Sequence, residues 1–334
     1  MRIKNVIIII LLIVFVVFFV YGTYFVFSPK PAVYLTRMVF EGGMEVKPAN
    51  FDTIAEGVSK TTDLEYPSHA GGNHYDLYSP KEFEGDLPVI LWIHGGAFVA
   101  GDKSDVQNYA LQVASHGYHV VVMNYELSPE NVYPSALRQV GELYHHLDAI
   151  SEASNFNMDA LVLAGDSAGA HLAAQFAMAS KDDAYYEILD IKDHYDGSAN
   201  VVGSILLCGP YDLANFDTLD QGSPVFGFFL DRISWSYLGQ KDWKDDEQYS
   251  HLSVLEHVND DFPASFISDG TVGSFTDHGK ALAQRLDDLG VSVDAVFYDE
   301  ASVELPHEYQ FQMDNDYAVN TFNKLILYLN NVTD

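Results

Sequence analysis

Short apolar runs at residues 87–93, 118–124, 161–165, 201–208, 263–268 and 291–298 alternate with stretches of helical character at 105–116, 134–153, 168–180, 277–289 and 317–330. Runs of four to eight apolar residues bounded by glycine or charge are buried strands. Strands that alternate with helices close into a largely parallel sheet with helices on both faces. Ahead of these elements, residues 58–80 alternate in polarity around His69-Ala70-Gly71-Gly72-Asn73, which predicts a β-hairpin opening the sheet. Residues 211–260 break the alternation. They are rich in Phe, Trp and Asp and predict a lid inserted over the sheet, its aromatics including Phe216, Phe226, Phe228 and Phe229.

The first thirty residues differ from the rest. Residues 6–20 are uninterruptedly apolar, and 21–27 extend the run with only Gly22 and Thr23 intervening. About 22 residues at a 1.5 Å rise span roughly 33 Å, enough to cross a bilayer core. Tyr21 and Tyr24 fall where an interfacial aromatic belt lies. A cleaved signal peptide has a shorter apolar region and a small-residue cleavage site, so an uncleaved anchor is expected. Arg2 and Lys4 precede the run, which places the N-terminus in the cytoplasm and the rest of the chain outside. The expected organisation is an anchor at 1–30, with 31–50 a helix and connector, and one domain at 31–334. About 300 residues is near the upper limit for one core.

Acidic residues number 48 against 17 basic, a formal net charge of -31. Such a surface repels nucleic acid, so no nucleic-acid partner is expected. The single cysteine, Cys208, excludes an internal disulfide, and its apolar run marks it as a packing residue. No metal-ligand spacing and no nucleotide-binding glycine fingerprint stands out, so neither a metal nor a cofactor is expected. The clusters Asp182-Asp183 and Asp245-Asp246-Glu247 read as solvated surface.

Gly165-Asp166-Ser167-Ala168-Gly169 fits G-x-S-x-G between a strand and a helix, the context of a nucleophile elbow. The small residues permit a sharp turn that exposes the serine, and the helix N-terminus faces a developing oxyanion. Upstream, His94-Gly95-Gly96-Ala97-Phe98 follows the strand ending at Ile93. Its paired glycines let backbone amides approach a substrate oxygen. The expected oxyanion hole is Gly95, Gly96 and Ala168, with His94 in a supporting role. His307 follows the last strand by a few residues, where the base belongs in the chain order Ser, acid, His. His145, His146, His171, His251, His257 and His278 lie mid-helix or off a strand end and read as surface or packing residues.

These motifs, with Asn124-Tyr125-Glu126-Leu127-Ser128-Pro129-Glu130 between them, resemble the hormone-sensitive-lipase-like branch of the α/β-hydrolase esterases. They are about as similar to the bacterial carboxylesterases related to feruloyl esterases. The resemblance covers roughly residues 75–330 and implies an α/β-hydrolase fold. It also implies a serine esterase with a Ser-acid-His triad. Glu126 and Ser128 replace the family's usual Arg and Ala. The family places its acid three residues beyond a glycine after the seventh strand, and Gly273 occupies that position. The acid is therefore sought nearby: Asp269 at the strand end first, then Asp277, then Asp212 after the preceding strand. The expected activity is hydrolysis of a carboxylic ester, small or lipid, of short or medium acyl chain. A peptidase or acyl-transferase on the same triad, or a non-catalytic surface protein of this fold, are the alternatives.

Overall fold

The computed structural model describes residues 3–40, 45–213, 224–245 and 247–333. Eight strands form one sheet: β1 (Val58–Glu65), β2 (His74–Pro80), β3 (Leu87–Ile93), β4 (His119–Met123), β5 (Phe156–Asp166), β6 (Val201–Leu207), β7 (Ala264–Ser268) and β8 (Val293–Val296). Their order is β1-β2-β4-β3-β5-β6-β7-β8. The β1/β2 and β2/β4 pairs are antiparallel, and every later pair is parallel. The longer helices are α1 (Ile3–Phe27), α2 (Lys30–Phe40), α3 (Gln107–Ala114), α4 (Ser135–Ala149), α5 (Ala168–Ala179), α6 (Pro224–Leu238), α7 (Thr276–Asp288) and α8 (Asp316–Thr333).

Side chains alternate across the sheet and feed two cores. Val89, Leu91, Ile93, Leu161 and Leu163 pack on one face with Leu143 of α4, Phe176 of α5 and Leu286 of α7. Ile90, Trp92, Val120, Val162 and Ala164 pack on the other with Tyr109 of α3 and Leu325 of α8. Both faces are covered, which is why the central strands read as continuous apolar runs rather than as alternation. β5 begins earlier than its apolar run because the polar segment around Asn157 still pairs with Leu87 and Pro88 of β3. β8 is shorter than expected: it is the edge strand, half exposed, and only Val293–Val296 pairs with β7.

α1 is long and apolar enough to cross a membrane. α2 continues from it and lies over the loop after β3. There Val33 and Phe40 pack with Val99, Ala100 and Ile233 of α6. Arg37 fixes this arrangement, donating to the Val99 carbonyl at 2.7 Å and pairing with Glu130 at 2.6 Å. Phe216 and Asp246 of the expected lid and acidic clusters lie outside the described residues. The described part of 211–260 carries α6, and Phe228 and Phe229 there meet Phe25 of α1 at 6.5 Å between ring centroids.

Candidate active site

Ser167 stands alone between β5 and α5 with φ 51° and ψ -120°. Such a backbone is costly for a residue with a side chain and persists only where surroundings enforce it. Here the enforcement is contact. A Cβ on Gly165 would enter the Gly169 backbone, and one on Gly169 would enter the Ile93 carbonyl. The first turn of α5 is thereby drawn onto β3 and β5, and the helix N-terminus, with its partial positive charge, faces the Ser167 hydroxyl. The Ser167 amide donates to the Leu207 carbonyl at 2.8 Å, which ties the turn to β6.

His307 comes from the loop after β8, and its Nε2 lies 3.0 Å from Ser167 Oγ. Phe275 meets the ring edge-on at 5.6 Å. Burial pushes the imidazole pKa down to about 4, so the ring is neutral at pH 7 and able to accept a proton.

The opposite nitrogen shows a contact the sequence did not suggest. His307 Nδ1 lies 2.6 Å from Ser274 Oγ, and Ser274 donates a short hydrogen bond to Asp269 Oδ1. With the Ser274 proton on the carboxylate, its oxygen accepts from Nδ1–H, which leaves the Nε2 lone pair facing Ser167. An Asp269 carboxylate oxygen also lies within 4.8 Å of a His307 ring nitrogen. Asp269 directly follows β7, is 1% exposed, and receives the Gly270 amide at 2.6 Å. Burial pushes its pKa up to about 7, against the bonds from Ser274 and the Gly270 amide. Asp277 stands in the first turn of α7, while Asp212 bridges to Ser253. Of the three acids considered, Asp269 is the one brought to His307 through Ser274.

The loop after β3 requires a correction. The Gly95 amide, expected to face the oxyanion, donates instead to Asp166 Oδ2 at 2.8 Å. Asp166 Oδ1 accepts from Trp92 Nε1 at 2.8 Å, so this buried carboxylate straps the loop to β3. Beyond Gly95 the chain passes through positive φ at Gly96, Ala97 and Phe98, 112°, 55° and 63°. The Gly96, Ala97 and Ala168 amides have no acceptor among the described residues. Asp166 and Ala97 were missed because a variable motif position and an alanine carry no chemical signal of their own. His94 is buried, stacks on Tyr125 at 4.6 Å, and its Nδ1 lies 2.6 Å from the Gly95 carbonyl, in keeping with a supporting role. His171 packs similarly, with Nδ1 2.9 Å from the Pro210 carbonyl. Cys208 is buried, and burial pushes its thiol pKa well up.

Beside Ser167 lies an apolar pocket of about 50 Å³, walled by Ala97, Leu213, Leu230, Ile233, Tyr237 and Leu252. Tyr237 stacks on Phe98 with centroids 3.9 Å apart, which closes one side.

The chain is 24% identical over 220 residues to an esterase of Gibberella moniliformis, which covers 63% of this chain and 64% of that one. It is 25% identical over 240 residues to an acetyl esterase of Salmonella schwarzengrund, which covers 70% and 69%. It spans between about half and two-thirds of the length of the first curated relatives it matches. The solved structure of the inhibited esterase B of Lactobacillus rhamnosis superposes with a TM-score of 0.71 at 22% identity. The match covers 91% of this chain and 93% of that one, and the shared fold is the α/β-hydrolase fold. The BD-FAE family model matches residues 75–284, a span that holds the loop after β3, the Ser167 elbow, Asp269 and Ser274. The chain belongs to the BD-FAE family.

Proposed function

We propose that the protein is a membrane-anchored serine carboxylesterase that hydrolyses short-acyl esters. The observation that carries this reading is the 3.0 Å approach of His307 Nε2 to the Ser167 hydroxyl. On the far side, the ring is held through Ser274 by Asp269. Ser167 Oγ attacks the acyl carbon while His307 Nε2 takes its proton. The carbonyl oxygen becomes an oxyanion, held by the amides of Gly96, Ala97 and Ala168; one such donor is typically worth about 10²–10³ in rate. Collapse expels the alkoxide, which takes its proton from His307. Water, activated by the same ring, then releases the acid and restores Ser167.

The pocket supports the short acyl chain. Its volume of about 50 Å³ is a third of the roughly 150 Å³ that admits benzene. That leaves room for a chain of two to four carbons. The name of the Salmonella relative, an acetyl esterase, agrees with this. Residues 1–30 serve as a single-span anchor with the hydrolase domain, 31–334, outside the cytoplasm. The described part of 211–260 supplies the pocket wall through Leu230, Ile233 and Tyr237 of α6, which fits a lid.

The test is a series of p-nitrophenyl esters on the full-length protein in detergent, alongside labelling by a fluorophosphonate. Turnover should peak between acetyl and butyryl, and both turnover and labelling should vanish in Ser167→Ala. Ester turnover that survives that substitution would overturn the reading.

A further inference from the structure

Away from the pocket beside Ser167, three side chains from three distant segments converge. His69 lies in the β1–β2 connection, Glu142 on α4, and His194 in the segment before β6. Glu142 Oε1 is 2.8 Å from His69 Nδ1 and 2.7 Å from His194 Nδ1. The two rings approach to 4.5 Å between centroids, and the ligand atoms of all three lie within 4.8 Å of one another.

Two of the cluster's other polar atoms are held by hydrogen bonds of their own. Glu142 Oε2 accepts from Ser68 Oγ at 2.6 Å, and His69 Nε2 lies 3.0 Å from Ser135 Oγ. On the inner side, both Nδ1 atoms meet the same carboxylate oxygen, Glu142 Oε1. Metal ligands are ordinarily oriented in this way, with the second ring nitrogen and second carboxylate oxygen fixed by an outer set of hydrogen bonds. The cluster opens to solvent through an adjoining groove lined by His145, His146, Lys192, Asp193 and Asp196.

We propose that His69, Glu142 and His194 bind one divalent transition-metal ion of the zinc type. Two imidazoles and a carboxylate form a zinc donor set with a fourth position left to water. Ligands about 2.0–2.2 Å from the ion stand roughly 3.3 Å apart in a tetrahedron. The two N···O contacts must therefore open by about half an ångström, replacing two hydrogen bonds with coordination. Each neutral ring then binds the ion through a deprotonated Nδ1 and carries its proton on Nε2, where His69 can donate it to Ser135 Oγ. The ion ties the β1–β2 connection and the segment before β6 to α4, so it acts on stability and not on the ester.

The experiment is calorimetric titration of the chelator-treated, full-length protein in detergent with zinc chloride, paired with thermal unfolding at each zinc level. One zinc per chain should bind at micromolar or lower Kd, and Tm should rise with zinc as binding to the native state requires. His194→Ala and Glu142→Gln should each weaken binding by roughly tenfold or more. His194→Gln keeps a donor toward Glu142, so it should fold as wild type while losing the same affinity. No zinc binding, or equal affinity in wild type and His194→Gln, would reduce the cluster to hydrogen bonds alone.

Discussion

Ser274 Oγ lies 2.6 Å from His307 Nδ1, standing between the imidazole and the Asp269 carboxylate. The hydroxyl is donor to one group and acceptor to the other, so it transmits both the ring's tautomer and part of the carboxylate's charge. Ser274→Ala should lower kcat about ten- to hundredfold with little change in KM, because it removes orientation and not binding. Asp269→Asn should fall further, toward the roughly 10⁴ seen when such a carboxylate is lost. Steady-state kinetics on a p-nitrophenyl ester reads both. Wild-type kcat in Ser274→Ala would remove Ser274 from this role.

Much of this site was legible because its constraints are local. Ser167 needs small neighbours at fixed offsets, and His307 needs a loop directly after the last strand, so both leave a pattern in the chain. Ser274 leaves none: a serine beside glycine is ordinary loop composition, and its importance comes from meeting residues five and 33 positions away. Gly95 misled for the opposite reason. The glycine pair was visible, but the competing acceptor, Asp166, lies 71 residues further on. The same holds for the fold: buried strands announced themselves by apolar runs, while the polar start of β5 depends on pairing with β3.

Trp92→Phe tests the strap beneath the loop after β3. It deletes the indole N–H that donates to Asp166 Oδ1 at 2.8 Å while keeping an aromatic ring in the core. Leaving a buried carboxylate short of a donor costs about 1–3 kcal/mol. The variant should unfold at lower urea by that amount and also lose turnover, since the Gly95 amide depends on the same carboxylate. Loss of stability with unchanged kcat would show that the loop holds its shape without the strap.

Leu230→Ala should widen acyl preference. Leu230 lines the pocket on α6 but is only partly buried, so truncation enlarges the site without hollowing the core. The ratio of hexanoyl to acetyl turnover should rise, by about tenfold for the one or two methylene groups accommodated. An unchanged ratio would place the acyl chain elsewhere.

The anchor reading of α1 predicts full-length protein in the membrane pellet after carbonate washing, with its N-terminus intact. α2 binds the hydrolase domain through Arg37, so a protease that cuts between α1 and α2 should leave α2 on the soluble fragment. A mature N-terminus near residue 30 on protein in the medium would identify a cleaved signal instead.

Glu308 makes stability fall with rising pH. Its carboxyl lines a cavity behind Gly95 and Gly96 together with Asp105, Asp166 and His307, and its Oε1 lies 3.8 Å from His307 Nε2. Burial, followed by repulsion from Asp166 and Asp105, raises its pKa well above the ordinary 4.5. A carboxyl whose pKa is raised on folding binds its proton more tightly in the native state. Stability falls with pH wherever the native state holds more protons than the unfolded one. The contribution is therefore complete below pH 4.5 and drains away as pH climbs through the raised native value. Each pH unit of displacement corresponds to about 1.4 kcal/mol. Gln mimics the protonated acid in size and hydrogen bonding but cannot ionise. Glu308→Gln should thus resemble wild type at about pH 5 and exceed it by more than about 1 kcal/mol at pH 8.5. Part of the slope should survive in the variant, because Asp166 is raised by burial in the same cavity. Urea unfolding at the two pH values measures the difference. Parallel curves for wild type and variant would show that Glu308 is already ionised in the native protein at the lower pH.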